Sequence, residues 1–179
     1  MCFDATVLCG ALVRPTGQNA RLLAFAVESA VLEGFTTDVA GLEFVRNALN
    51  GISGNVYDLD EVEEFLEVFE PLFDPENVAR SPIGRSLVQR TDLHNKPIGE
   101  VAYELTGRTR SDLLTDLESQ ARLMAPEFDY SDLHLVVSAV EQGADIICSS
   151  NSTDLPEGPI VPGIEVIGPG RLGATLGLS

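Results

Sequence analysis

Short apolar, β-branched runs stand in the first and last thirds of the chain, and stretches with the 3.6-residue period of helices lie between them. That alternation leaves few folds open, because parallel strands need crossovers long enough to hold a helix, while antiparallel strands join through short turns. The runs are Cys2 to Val13, Phe35-Thr36-Thr37, Asp145 to Ser149 and Gly163 to Pro169. They predict an α/β fold: a three-layer α/β/α sandwich around a central parallel sheet of four to five strands. A length of 179 residues fits a single domain over 1–179. With 44% hydrophobic residues the chain can bury a core.

The helices can be read between these strands. After the Pro15-Thr16-Gly17 turn, Leu22, Leu23, Phe25, Ala26, Ala30, Val31 and Leu32 recur at helical spacing, and Gly34 reads as the stop. Thr37 or Asp38 is placed to cap a helix carrying Leu42, Phe44, Val45, Ala48 and Leu49, with Glu43 beside them. Val62, Phe65, Leu66 and Phe69 predict another, with Asp58 and Glu61 as its capping box. Prolines and glycines divide the next stretch, which reads as a helical and loop excursion at about 71–124, with helices at Ile98 to Leu105 and from Ser111 to Met124. The last predicted helix runs from Ser131 or Asp132 to Gln142 and stops at Gly143.

Charge narrows the classes of partner. Eleven basic residues against 28 acidic ones leave a formal charge of −17, which argues against tight non-specific binding to nucleic acid or to anionic membranes. Nine acids lie between Asp58 and Glu76 with no Lys or Arg among them, whereas Arg80, Arg85, Arg90, Lys96, Arg108 and Arg110 hold six of the eleven positive charges. The acidic run reads as a solvated helix face, the basic run as scattered surface charge or a phosphate-contacting face. No apolar stretch approaches the ~20 residues a bilayer crossing needs. Met1-Cys2-Phe3-Asp4 has an acid where a secretory signal carries a base, so a cytoplasmic location with no membrane partner is expected. Cys2, Cys9 and Cys148, odd in number and without C-x-x-C spacing, read as reduced, buried thiols.

Three acids stand where an α/β sheet places its chemistry. Asp4 interrupts an apolar run, and burying an ionised carboxylate costs several kcal/mol unless it is paired, hydrogen-bonded or bound to a metal. Asp132 opens a helix, where the plain reading is an N-cap. Asp154 closes the polar segment Ser149-Ser150-Asn151-Ser152-Thr153-Asp154 that follows a predicted strand, where the plain reading is a loop with Asx turns. Ligands of such sheets sit beyond the carboxyl ends of the strands, and oxygen ligands converging there suit Mg²⁺ or Mn²⁺.

At these residues the chain resembles a known family. Phe3-Asp4-Ala5-Thr6-Val7-Leu8 is similar to the opening segment of PIN domains. Asp129-Tyr130-Ser131-Asp132-Leu133-His134-Leu135, followed by Ala139, Gly143-Ala144-Asp145-Ile146-Ile147 and Asn151 to Pro156, resembles the closing segment of their VapC-like toxin branch, with its D-x-H and N-x-x-D-[FL]-P motifs. Thr36-Thr37-Asp38 with Leu42-Glu43-Phe44 and Arg46-Asn47 resembles the segment that carries that family's second metal ligand. The resemblance covers about residues 2 to 54 and 127 to 170. Thr6 stands where Asn is common in the family, and Asn151 where many members have a fourth Asp.

The resemblance implies a metal-dependent ribonuclease, the toxin of a toxin–antitoxin pair. It implies Asp4, Glu43, Asp132 and Asp154 as catalytic residues that bind Mg²⁺ or Mn²⁺ together with Asn151, supported by Thr6 and Asp129. Metal activation of water and in-line cleavage of an RNA phosphodiester follow from it. It further implies an antitoxin protein and a homodimer as partners. His134 reads as a packing or hydrogen-bonding residue ahead of a general acid or base. Two other classes stand beside this one. An inactive PIN-like module that binds protein accords with the charge of −17 and the replaced fourth acid. A haloacid-dehalogenase type hydrolase fits poorly, because Thr6 occupies the place of its second acid. Neither G-x-G-x-x-G nor G-x-x-x-x-G-K-[ST] occurs, which disfavours dinucleotide and P-loop binding.

Overall fold

The computed structural model describes residues 1–30, 32–73, 91–98, 100–101, 104 and 116–178. In chain order its elements are β1 (Cys2–Phe3), α1 (Ala5–Val13), α2 (Gln18–Glu28), β2 (Phe35–Thr36), α3 (Asp38–Asn50), α4 (Leu59–Val68), α5 (Asp116–Met124), α6 (Leu133–Glu141), β3 (Ile146–Cys148), β4 (Gly158–Val161), β5 (Ile164–Ile167) and α7 (Pro169–Leu176). The strands form one sheet in the order β2-β1-β3-β5-β4, parallel except for β4 against β5. This is the expected three-layer α/β/α sandwich. Helix α6 packs on β1 and β3, and α5 on β4, while α1 lies against α2 and α3 and α7 against α2.

The first run is where the fold departs most from the sequence reading. Cys2 to Val13 was expected as one strand, but only Cys2–Phe3 is strand, and Ala5–Val13 turns into α1. A continuous apolar run does not distinguish a buried strand from a buried helix, and α1 buries Ala5, Val7, Leu8, Cys9 and Ala11. Asp4 is therefore the residue between strand and helix, with extended backbone at the N-cap of α1.

Helix α2 ends at Glu28, well before Gly34. Gly34 has a different role: a Cβ there would stand 2.7 Å from the Cβ of Ala26 and 2.8 Å from the ring of Phe3. Its lack of a side chain lets the chain entering β2 lie on α2 and on the fully buried Phe3.

Helices α3 and α4 keep their expected positions. Thr37, not Asp38, caps α3 by accepting the Ala40 N–H at 3.0 Å. Asp58 and Glu61 form the reciprocal capping box of α4. Phe65 stacks between Phe44 and Phe69, with ring centroids 4.9 Å apart in both pairs, tilted contacts worth about 1 kcal/mol each beyond burial. Of the expected helix at Ile98 to Leu105, the described residues Ile98, Glu100, Val101 and Glu104 are all helical, while the start of the one from Ser111 lies outside the described residues. Arg80, Arg85, Arg90, Arg108 and Arg110 lie outside the described residues, and the described parts of that excursion include a turn at 91–96 and α5, to Met124.

Two elements have no counterpart in the sequence reading. Strand β4 carries Pro159, which an edge strand tolerates and a central one does not. It folds back through Pro162-Gly163, where Gly163 adopts φ +87°. Helix α7 starts with Pro169 in its first turn and ends on the left-handed Gly177. Cys2, Cys9 and Cys148 are all free thiols and buried. Among the described residues no helix is long and apolar enough to cross a membrane.

Candidate metal centre

Parallel pairing of β1 with β3 sets Phe3 opposite Cys148, so the residues that follow, Asp4 and Ser149, leave the sheet side by side. The Asp4 amide donates to the Cys148 carbonyl at 3.0 Å, continuing the ladder one step past the strands. Asp4 is 3% exposed. Its Oδ2 accepts two hydrogen bonds of 2.6 Å, one from the Ser149 hydroxyl and one from Thr6. Burial raises the Asp4 pKa, and these hydroxyls with the Ala5 and Thr6 amides pull it back.

The same two hydroxyls order the loop beyond β3. Thr6 Oγ1 accepts the Ser150 N–H at 3.0 Å, and Ser149 Oγ accepts the Asn151 N–H at 2.9 Å. Asn151 in turn is paired with Asp154: its Nδ2 donates to Asp154 Oδ2 at 3.1 Å, and its Oδ1 accepts the Asp154 N–H at 3.3 Å. The Asp154 carbonyl then accepts the Asp129 N–H at 3.1 Å, joining this loop to the segment that leads into α6.

Asp132 ends a short 3-10 turn, Tyr130–Asp132, and precedes α6. It is 7% exposed and makes no capping bond to its helix, so the N-cap reading does not hold. Asp129 instead caps the short turn before α6, its Oδ1 accepting the Ser131 N–H at 2.7 Å, and its pKa is lowered first by the Ser131 side chain and then by that bond. Asp132 Oδ2 is buried with no hydrogen-bond partner. Its pKa is pushed up to about 8, first by burial and then by the negative charges of Asp4, Glu43, Asp129 and Asp154.

Glu43 projects from α3, half-buried, with its pKa raised to about 7 by burial and by Asp4, against the opposing charge of Arg46. Arg46 itself donates to the Lys96 carbonyl at 2.9 Å. Asp38, at the start of α3, has a buried Oδ1 without a partner, and burial raises its pKa to about 7.

Asp132 thus feels the carboxylates of Asp4, Glu43 and Asp154, and Glu43 feels that of Asp4. These four acids arrive from four separate parts of the chain at the carboxyl edge of the sheet. Among the described residues no three His, Cys, Asp or Glu side chains stand as a preformed metal cage. The donor set is nevertheless all oxygen, and a buried, partnerless carboxylate oxygen amid like charges fits a hard divalent cation.

Ser149 is the residue that the sequence reading passed over as one of several small polar groups in a loop. Its one signal is its place directly after an apolar strand, and only the β1–β3 register turns that into contact with Asp4. His134 is 4% exposed, and burial lowers its pKa to about 3, so it is neutral and packed. In comparisons with known proteins, no family model, no curated protein and no solved structure matches the chain.

Proposed function

We propose that the chain is a Mg²⁺- or Mn²⁺-dependent endoribonuclease of PIN type, with Asp4, Glu43, Asp132 and Asp154 as its acidic centre. One observation carries this reading: Asp132 Oδ2 is buried without a partner while four further carboxylates raise the energy of its charged form. A fold that keeps such an arrangement without a counter-charge loses stability, because unpaired buried charge is expensive.

Asp4, Glu43 and Asp132 would hold the ion, with Asp154 and Asn151 completing the set. Bound there, the ion supplies neutralisation of the phosphodiester charge and a more acidic water. The chain's own residues do the rest. Thr6 and Ser149 hold one oxygen of Asp4 in a fixed direction and so orient the carboxyl group. Asn151 orients Asp154 through a pair of hydrogen bonds. Thr6, standing where the resembled family commonly has Asn, does so as a hydroxyl donor. On this reading RNA is the substrate, the chain works in the cytoplasm, and an antitoxin protein and a second copy of the chain are its partners.

The test is Mn²⁺ titration by calorimetry of the wild type, Asp4→Asn and Asp132→Asn, followed by RNA cleavage in the same metal. Binding in the wild type that either variant loses, with metal-dependent cleavage, supports the nuclease. A wild type that neither binds Mn²⁺ nor cuts RNA overturns it in favour of an inactive protein-binding module.

A further inference from the structure

Two adjacent threonines at the end of β2 join the elements that carry the acids. Thr36 is buried, and its hydroxyl donates to the Phe3 carbonyl at 2.8 Å, one residue before Asp4. Thr37 does two things at once. Its Oγ1 accepts the Ala40 N–H at 3.0 Å, which starts α3, and lies 3.2 Å from Nδ1 of His134 on the first turn of α6. Either ring tautomer can make that second bond, because a hydroxyl both donates and accepts. Glu43 stands six residues beyond Thr37, and Asp132 two residues before His134.

Among the hydrogen bonds formed by described residues, Thr37–His134 runs directly from the start of the Glu43 helix to the start of the Asp132 helix. An imidazole buried at 4% exposure with one ring nitrogen unpartnered is an expensive way to fill a core site that Leu or Phe would fill without loss. Its bond to Thr37 gives that imidazole a use that packing alone does not. We infer that Thr37 and His134 are positioning residues that clasp the two acid-bearing helices at the spacing the metal centre requires. This rests on the metal-centre reading proposed above. Neither residue touches substrate on this account. Both act through Glu43 and Asp132, in the way that groups behind the ligands set metal affinity.

The experiment is Mn²⁺ affinity by calorimetry on the full chain for the wild type, Thr37→Val, Thr37→Ser, His134→Phe and Thr37→Val/His134→Phe, each checked for folding by circular dichroism and thermal melting. Thr37→Val and His134→Phe are expected to weaken Mn²⁺ about tenfold or more. The double variant is expected to lose no more than the worse single one, because each removes the same bond. Thr37→Ser, which keeps the hydroxyl, is expected to bind as the wild type does. If His134→Phe does not fold, His134→Leu takes its place, because Thr37→Val also removes the Ala40 cap of α3 and a change at His134 is what isolates the clasp. Folded Thr37→Val binding Mn²⁺ as tightly as the wild type overturns the clasp and leaves the metal centre standing. Equal losses in Thr37→Val and Thr37→Ser also overturn it, since the hydroxyl would then not be what matters. A wild type without Mn²⁺ affinity overturns the metal centre and the clasp with it.

Discussion

Ser149 and Thr6 donate to the same oxygen of Asp4, each at 2.6 Å, although Ser149 lies 145 residues further along the chain than Asp4. A buried carboxylate held in this way has its orientation set by two hydroxyls from different elements. Ser149→Ala removes one donor and also the acceptor of the Asn151 N–H. It is expected to destabilise the fold by about 1–3 kcal/mol and to weaken Mn²⁺ binding. Urea unfolding with and without Mn²⁺ checks both.

Asp132→Asn is expected to have opposite effects on stability and on binding. The amide is neutral folded and unfolded, so it spares the chain the cost of either burying a charge or binding a proton at a position where burial and four neighbouring acids disfavour the carboxylate. In buffer with chelator at pH 7.5 the variant should therefore be more stable than the wild type, by on the order of 1 kcal/mol. Added Mn²⁺ should raise the melting temperature of the wild type and leave that of the variant unchanged. Melting curves in the two buffers are the measurement.

The metal-free protein is expected to gain stability as pH falls from about 8 toward 4. Asp132 at about 8, and Glu43 and Asp38 at about 7, all bind protons more tightly folded than unfolded. Between the ordinary carboxyl range and these values the folded state holds more protons, so stability falls as pH rises through that window. The contribution is fully present below the ordinary range and lost above about 8. Asp38→Asn, outside the four-acid centre, should remove only its own share of the slope. Chemical denaturation at a series of pH values with chelator present reads this directly.

Gly34→Ala is expected to cost about 1–3 kcal/mol, because the added methyl meets Ala26 and the Phe3 ring at under 3 Å and neither can swing away. Mn²⁺ affinity should change little if the effect stays in packing. A large loss of affinity would show that the entry to β2 also governs the acid centre.

How much of this was legible beforehand depends on the range of the interaction concerned. Helix α3 and its Thr37 cap, α4 and its capping box, and the Gly143 stop rest on contacts within four residues, and a local pattern records those. The strand-to-helix switch at Asp4 was missed because an apolar run looks the same in either conformation when most of its side chains are buried or partly buried. Strand β4 was missed because its pairing with β5 and its edge position are facts about the sheet. The helix expected to run on toward Gly34 stops at Glu28, and Gly34 serves the close approach to Phe3 and Ala26, a tertiary contact that local spacing does not record.

The residue types and order of the chain determined an α/β sandwich, the placing of acids at strand ends and helix starts, and the all-oxygen character of the candidate site. Only the tertiary structure decided that Asp132 does not cap its helix, that Ser149 holds Asp4, and that Thr37 reaches His134. The physical reason is common to all three. Each depends on parallel register and helix packing between segments about 100 residues or more apart, or on where a side chain points once that packing is complete, and neither leaves a trace in local spacing.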